Sequence, residues 1–192
     1  MNAVLRAKAV LAAPSAEWIR IEKEPGDAAS LLTSYVALLA LVPAIFGLIG
    51  ASFVGAIVPG VGLVRAPILD GLAGAVFGYV VTCATVLVLG LLIYLLAPAF
   101  GGRRDFYSAF KLAVYSYTPV WLAGIFLLAP GLRFLGLTGF YGVYILWTGL
   151  PQLIKLPEDK VLGLTAAIVA CAGVLTFVGT TSQRMLFGPT LF

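Results

Sequence analysis

Histidine is absent from the 192 residues, and cysteine occurs only as Cys83 and Cys171. The first absence removes the commonest general base and metal ligand. The second leaves no CxxC-type spacing for zinc, and both cysteines sit in apolar runs where the thiol is a small packing group. Charge is scarce as well: 10% of the residues are charged, against about 25% in a soluble domain. The acidic residues Glu17, Glu22, Glu24, Asp27, Asp70, Asp105, Glu158 and Asp159 all fall in connections or boundary segments. Proton relay needs an ionisable group along its path, so this pattern argues against a proton pump or antiporter.

What is present is hydrocarbon. The chain is 61% hydrophobic, with a mean hydropathy of +1.08, and too little polar surface remains to cover a water-soluble fold. Five long apolar runs stand at about 31–58, 72–98, 109–129, 134–154 and 161–179. Each is near or above the roughly 20 residues that cross a bilayer as a helix. They do not alternate, so membrane strands are not expected. The first run is overlong and contains Pro43, which predicts a tilt or kink. The reading is an all-α polytopic membrane protein, a bundle of five transmembrane helices over 31–185. A cytoplasmic or interfacial segment, 1–30, precedes it, and a short extracytoplasmic tail, 186–192, follows.

Orientation is read from the basic residues. Arg6, Lys8, Arg20, Lys23, Arg103, Arg104, Lys111, Lys155 and Lys160 fall on one side, and Arg65, Arg133 and Arg184 on the other. The richer side is expected to be cytoplasmic. The net charge of +4 is thus a topology signal, and a nucleic-acid partner is not expected. Five crossings put the N-terminus inside and the C-terminus outside. The first residues do not form a signal peptide, because Arg6 and Lys8 interrupt their apolar stretch. They read as an amphipathic surface helix with Val4, Leu5 and Leu11 toward lipid and Arg6 and Lys8 toward water. Trp18, Tyr35, Tyr94 and Tyr107 fall near boundaries where aromatic rings anchor helices.

The stretch "AVYSYTPVWL", 113–122, concentrates Tyr115, Ser116, Tyr117, Thr118 and Pro119 inside the third run. Pro119 breaks the helical hydrogen-bond ladder, and nearby hydroxyls are expected to satisfy the freed carbonyls. The group reads as a helix-packing device or a functional motif. Serine catalysis is not expected, since no histidine exists to activate Ser116 and Lys111 stands only at the boundary of the run. Gly74/Gly78, Ala51/Gly55 and Gly136/Gly139/Gly142 have spacings that let helices approach in lipid. Glu158, Asp159 and Lys160, following Pro157, read as a helix start or as a contact loop for a soluble partner.

The arrangement resembles the bacterial branch of the Yip (Ypt/Rab-interacting protein) family, whose YIP domain has five transmembrane helices. "PSAEWIRIEKE" is similar to the family's entry segment, carrying Pro14, Trp18, Ile21 and Glu24. "YSYTP" is similar to the family's glycine-tyrosine motif closed by proline, with Val114 in the glycine's place. "YGVYILWTGLPQLIKLPEDKVLG" resembles the fourth span and following loop of bacterial members. The Asp-Leu-Tyr-Gly-Pro signature of eukaryotic members is missing, which counts against direct small-GTPase binding. The resemblance implies a polytopic protein with a cytoplasmic N-terminus and, by way of the eukaryotic relatives, a trafficking role; the first reading is a non-enzymatic protein of a bacterial inner membrane, acting through lipid organisation or partner recruitment. The alternative is a small permease or channel with a path at the Pro-kinked spans; a lipid-modifying enzyme ranks third. Expected partners are membrane lipids, a further copy of the chain and an unidentified protein. No cofactor or metal is expected.

Overall fold

The computed structural model describes residues 2–188, with the backbone but not the side chain of Val58. Two short helices come first, α1 (Ala3–Ala12) and α2 (Pro14–Lys23). The Asn2 side chain accepts from Val4 N at 3.0 Å and caps α1. Pro14 ends α1 and opens α2, because proline disfavours the helical conformation before it yet suits a first helical position. Asp27 then caps α3 (Ala28–Val54) by accepting from Ser30 N at 2.8 Å.

The first run is not one regular helix. α3 carries π turns at Leu32–Val36 and Gly50–Val54 and a break at Ala40. The break lies three residues before Pro43, where the missing N–H and the ring disturb the preceding turn. α3 stops at Val54 rather than 58, because Gly55 takes φ +80° and turns the chain. A two-stranded antiparallel hairpin follows, β1 (Ala56–Val58) with β2 (Gly62–Val64). It is the one departure from all-α structure among the described residues.

α4 (Ile68–Phe100) and α7 (Glu158–Phe187) are long and nearly unbroken, and they pack on each other. Gln183 of α7 donates to the Gly74 carbonyl of α4 at 2.7 Å, and Gly78 lies one turn away against the same amide. The GxxxG spacing therefore does serve packing inside the chain. α5 (Phe106–Leu128) is capped by Asp105 and breaks at Tyr117, as Pro119 requires.

Five crossings are not found as five helices. Among the described residues, four helices are long and apolar enough to cross a membrane: α3, α4, α5 and α7. The run at 134–154 is divided. Pro130–Phe140 is a 3-10 stretch, and only α6 (Tyr141–Ile154) is α-helical. Its 14 residues rise about 21 Å, less than a hydrocarbon core of roughly 30 Å. Gly131, Gly136 and Gly139 account for the division, since glycine is a poor helix former. α7 runs on through Phe187, beyond the expected end of the last span. Of the expected tail 186–192, residues 189–192 lie outside the described residues.

The core joins α2, α3, α4, α5, α6 and α7 around Trp18, Ile21, Phe110, Leu112, Trp121 and Ile145, all at most 1% exposed. The outer surface is apolar: Leu69 is 79%, Leu162 66% and Phe177 71% exposed. Such a surface suits lipid and not water.

Candidate functional site

Residues 115–118 form a wall with different chemistry on its two faces. Tyr115 and Thr118 look toward α1, α2 and α3. The Tyr115 ring stands edge-on to Tyr35 at 5.0 Å and to Trp18 at 6.1 Å between centroids. The hydroxyls of Tyr35 and Thr118 share a hydrogen bond of 2.9 Å. Ser116 and Tyr117 line the opposite face. The break at Pro119 is not repaired by hydroxyls as expected. Thr118 is engaged with Tyr35, and the buried Ser116 Oγ has no partner among the described residues. Instead the Ser116 carbonyl presses on Gly142 of α6, where a Cβ would collide with it.

The first face is charged. Arg6 bonds the carboxylates of Glu17 and Glu24, and Arg20 adds a contact to Glu17 at 3.4 Å. The Arg6 guanidinium also stands 5.8 Å from the Tyr115 ring centroid. Lys111 donates to the carbonyls of Ile21 at 2.8 Å and Glu24 at 2.6 Å, with its ammonium 4.3 Å from the Tyr107 ring centroid. A pocket of about 140 Å³ lies beside Arg6, Glu24, Tyr107 and Tyr115. Arg6 does not turn toward water as expected: it is 4% exposed, while Val4 and Leu5 face outward. A buried guanidinium is tolerable only when paired, and here two carboxylates pair it.

Pro14, Trp18 and Ile21 are buried against the bundle. The Trp18 indole donates to the Ile145 carbonyl at 3.1 Å, with Thr148 Oγ1 at 3.3 Å. Gly149 makes room for it: a Cβ there would stand 2.6 Å from Trp18 Cε2. At the end of α2, Glu22 meets both Gln152 and Lys155 at 2.5 Å. The bond from the Lys155 ammonium, with that from Gln152, holds the Glu22 carboxyl below its ordinary value. Tyr35 is buried, and Tyr94 stacks under Arg104 at 4.9 Å.

The second face is apolar. A chamber of about 600 Å³ lies between α4, α5, α6, α7 and the 3-10 stretch. Leu89, Ile93, Val143, Leu146, Ile168 and Val169 supply much of its wall. Phe140 and Phe177, 66% and 71% exposed, flank it. Its glycines Gly136 and Gly173 have no heavy atom within 4 Å of where a Cβ would stand. Thr180 bonds back to the carbonyls of Thr176 and Phe177 at 2.9 and 3.1 Å, so its hydroxyl is already satisfied.

Residues 8–180 match the Yip1 domain, a match that covers nearly the whole chain and includes residues 115–118, Glu17 and Glu24, with Arg6 just before it. The chain belongs to the Yip1 family. It is 29% identical over 166 residues to inner membrane protein YohC of Escherichia coli K12, covering 84% of this chain and 85% of the relative. The YohC of Escherichia coli O6:H1 matches equally. No solved structure matches. With the apolar helices, these findings make the chain an integral membrane protein.

Within this Yip1 domain, Glu158, Asp159 and Lys160 are exposed in the first turn of α7, and Lys160 lies 3.6 Å from Asp159. The two carboxylates complement the positive end of the helix dipole. The three residues line neither cavity. Among the described residues no group of acidic and cysteine side chains has the arrangement of a metal site. The charged cluster was not legible in the sequence. Arg6 precedes Glu17 by 11 positions and Glu24 by 18, and only the folding of α1 back along α2 brings them together.

Proposed function

We propose that the protein is a non-enzymatic component of a bacterial inner membrane that organises lipid, holding an acyl chain in the apolar chamber. The observation that carries this is the chamber itself, about 600 Å³ with an almost wholly aliphatic and aromatic wall. Its volume is within the range of small-molecule sites, about 300–1,000 Å³. In a membrane-spanning bundle an apolar void of that size is filled by hydrocarbon, because water there would lack polar partners. The inner-membrane assignment draws on the Escherichia coli relatives, and the cytoplasmic N-terminus on the basic residues.

The test is lipid retention. Gly136→Leu and Gly173→Leu place side chains in open chamber space. Protein purified from membranes and weighed intact should carry bound phospholipid in the wild type and several-fold less in the variants, with unfolding temperatures kept. Equal retention in all three would sink the reading. A second reading, a permease, has one observation in its favour: the chamber abuts the Pro119 break. Flux of an apolar solute through proteoliposomes, lost in the same variants, would favour it. Recruitment of a protein partner through Glu158, Asp159 and Lys160, a trafficking role, and self-association stand as further proposals. Cross-linking in native membranes from position 159 addresses the first.

A further inference from the structure

We infer that residues Ala3–Lys23 form a re-entrant hairpin inside the bilayer, entering and leaving at the basic face of the bundle, with Arg6 as the charge that locks it. This is independent of the acyl-chain reading and concerns the other face of the wall.

The depth follows from four contacts. Glu22 meets Lys155, and beside it the Arg103 amide donates to the Ile154 carbonyl at 2.7 Å. The end of α2 is thus level with the basic ends of α4 and α6. From there α2 runs back along α6. Trp18 reaches Ile145, and the Tyr141 hydroxyl donates to the Leu11 carbonyl at 3.1 Å. α6 has 14 residues and rises about 21 Å, so the hairpin tip lies well into a hydrocarbon core of roughly 30 Å. Independently, Arg6 lies over Tyr115, which follows Phe106 at the start of α5 by about 14 Å of helix. A helix lying on a membrane surface would not find its partners down the length of a span.

The chemistry agrees with this depth. Arg6 is neutralised by Glu17 and Glu24, and Lys111 closes the open carbonyls at the end of α2. The polar pocket beside Arg6 gives the cluster access to water from the basic face. Val4, Leu5 and Ile19 face outward, as lipid requires. Lys8 and Arg20 also face outward, and their long stems let the charge reach the headgroups. Ionisable groups at such depth persist where they hold structure or serve function. Here Arg6 is a positioning residue.

Ala12, Ala13 and Lys23 are all exposed, so the medium around each decides whether a thiol there reacts. Ala12→Cys, Ala13→Cys and Lys23→Cys are placed singly in the full chain carrying Cys83→Ala and Cys171→Ala. Sealed vesicles of both orientations are treated with a membrane-impermeant maleimide. Lys23→Cys should react from one side at once. The tip thiols should react from neither side until detergent is added. Tip thiols that react as fast as Lys23→Cys would overturn the hairpin. Adding Arg6→Gln should raise tip labelling at least tenfold with Lys23→Cys unchanged; unaltered protection would overturn the lock. Should that variant lose its fold, Glu17→Gln, which leaves Arg6 on Glu24, carries the same comparison.

Discussion

Ser116 and Thr118 are two residues apart, both buried, and chemically opposite. Thr118 shares its hydroxyl with Tyr35, whereas Ser116 Oγ has no partner among the described residues. A buried hydroxyl already unpaired loses nothing when removed, while taking one member of a buried pair strands the other. Ser116→Ala should therefore leave the detergent unfolding temperature unchanged or raise it. Thr118→Val should lower stability by about 1 kcal/mol, the usual scale for a hydroxyl bond between membrane helices. Thermal unfolding of the two variants side by side checks both directions. Glu22 makes a pH-dependent contribution. Its folded carboxyl lies below the ordinary value of 4.5, so its stabilisation is present above that pH and fades as pH falls through the lowered value. The difference in unfolding temperature between wild type and Glu22→Gln should be present at pH 7 and shrink toward zero as pH falls through the lowered value.

The close contact of α5 with α6 rests on Gly142. A side chain there would drive a Cβ into the Ser116 carbonyl oxygen, and backbone cannot yield as a flexible side chain can. Gly142→Ala should cost roughly 1–3 kcal/mol, as overpacking does, and lower the folded yield in size-exclusion chromatography. Gly136→Ala, with open space around it, should be tolerated. The pair separates glycine used for contact from glycine beside a void. The spacing of Gly136, Gly139 and Gly142 was visible in the sequence, but their differing duties were not. Gly136 borders the chamber, a Cβ on Gly139 would stand 3.4 Å from Val120 Cα, and Gly142 meets Ser116. Periodicity tells which residues share a face, not what lies opposite.

The whole bundle has four long spans and a divided segment made of the 3-10 stretch and α6. α4 alone separates the connections at 59–71 and 99–108, which its crossing puts on opposite sides; a crossing by the divided segment would do the same for the positions flanking it. Single cysteines placed in each connection, with an impermeant label, should react from opposite faces of sealed membranes. Cysteine at 131, before the divided segment, and at 155, after it, should likewise report from opposite sides. Reaction of 131 and 155 from one side would make the segment re-entrant and the parity even.

Composition and the apolar runs determined the solvent, the helical class and the breaks beside Pro43 and Pro119, but not the stop at Gly55 or the 3-10 stretch Pro130–Phe140. What they determined is local: hydrocarbon demands internally bonded backbone, and Pro43 and Pro119 act on their own turns. The extent of α4, the start of α7 and the kink beside Pro119 followed from such signals, whereas the end of α7 at Phe187 did not. Only the tertiary structure decided that Trp18 belongs to α6, that Arg6 joins Glu17 and Glu24, and that one face of residues 115–118 is charged while the other is apolar. The spacing between partners explains the difference. Trp18 and Ile145 are 127 positions apart, and such a pairing is set by the free energy of burying and bonding groups from many segments at once. An arginine among alanines and leucines reads locally as a headgroup ligand. It becomes an interior residue once two carboxylates arrive to neutralise it.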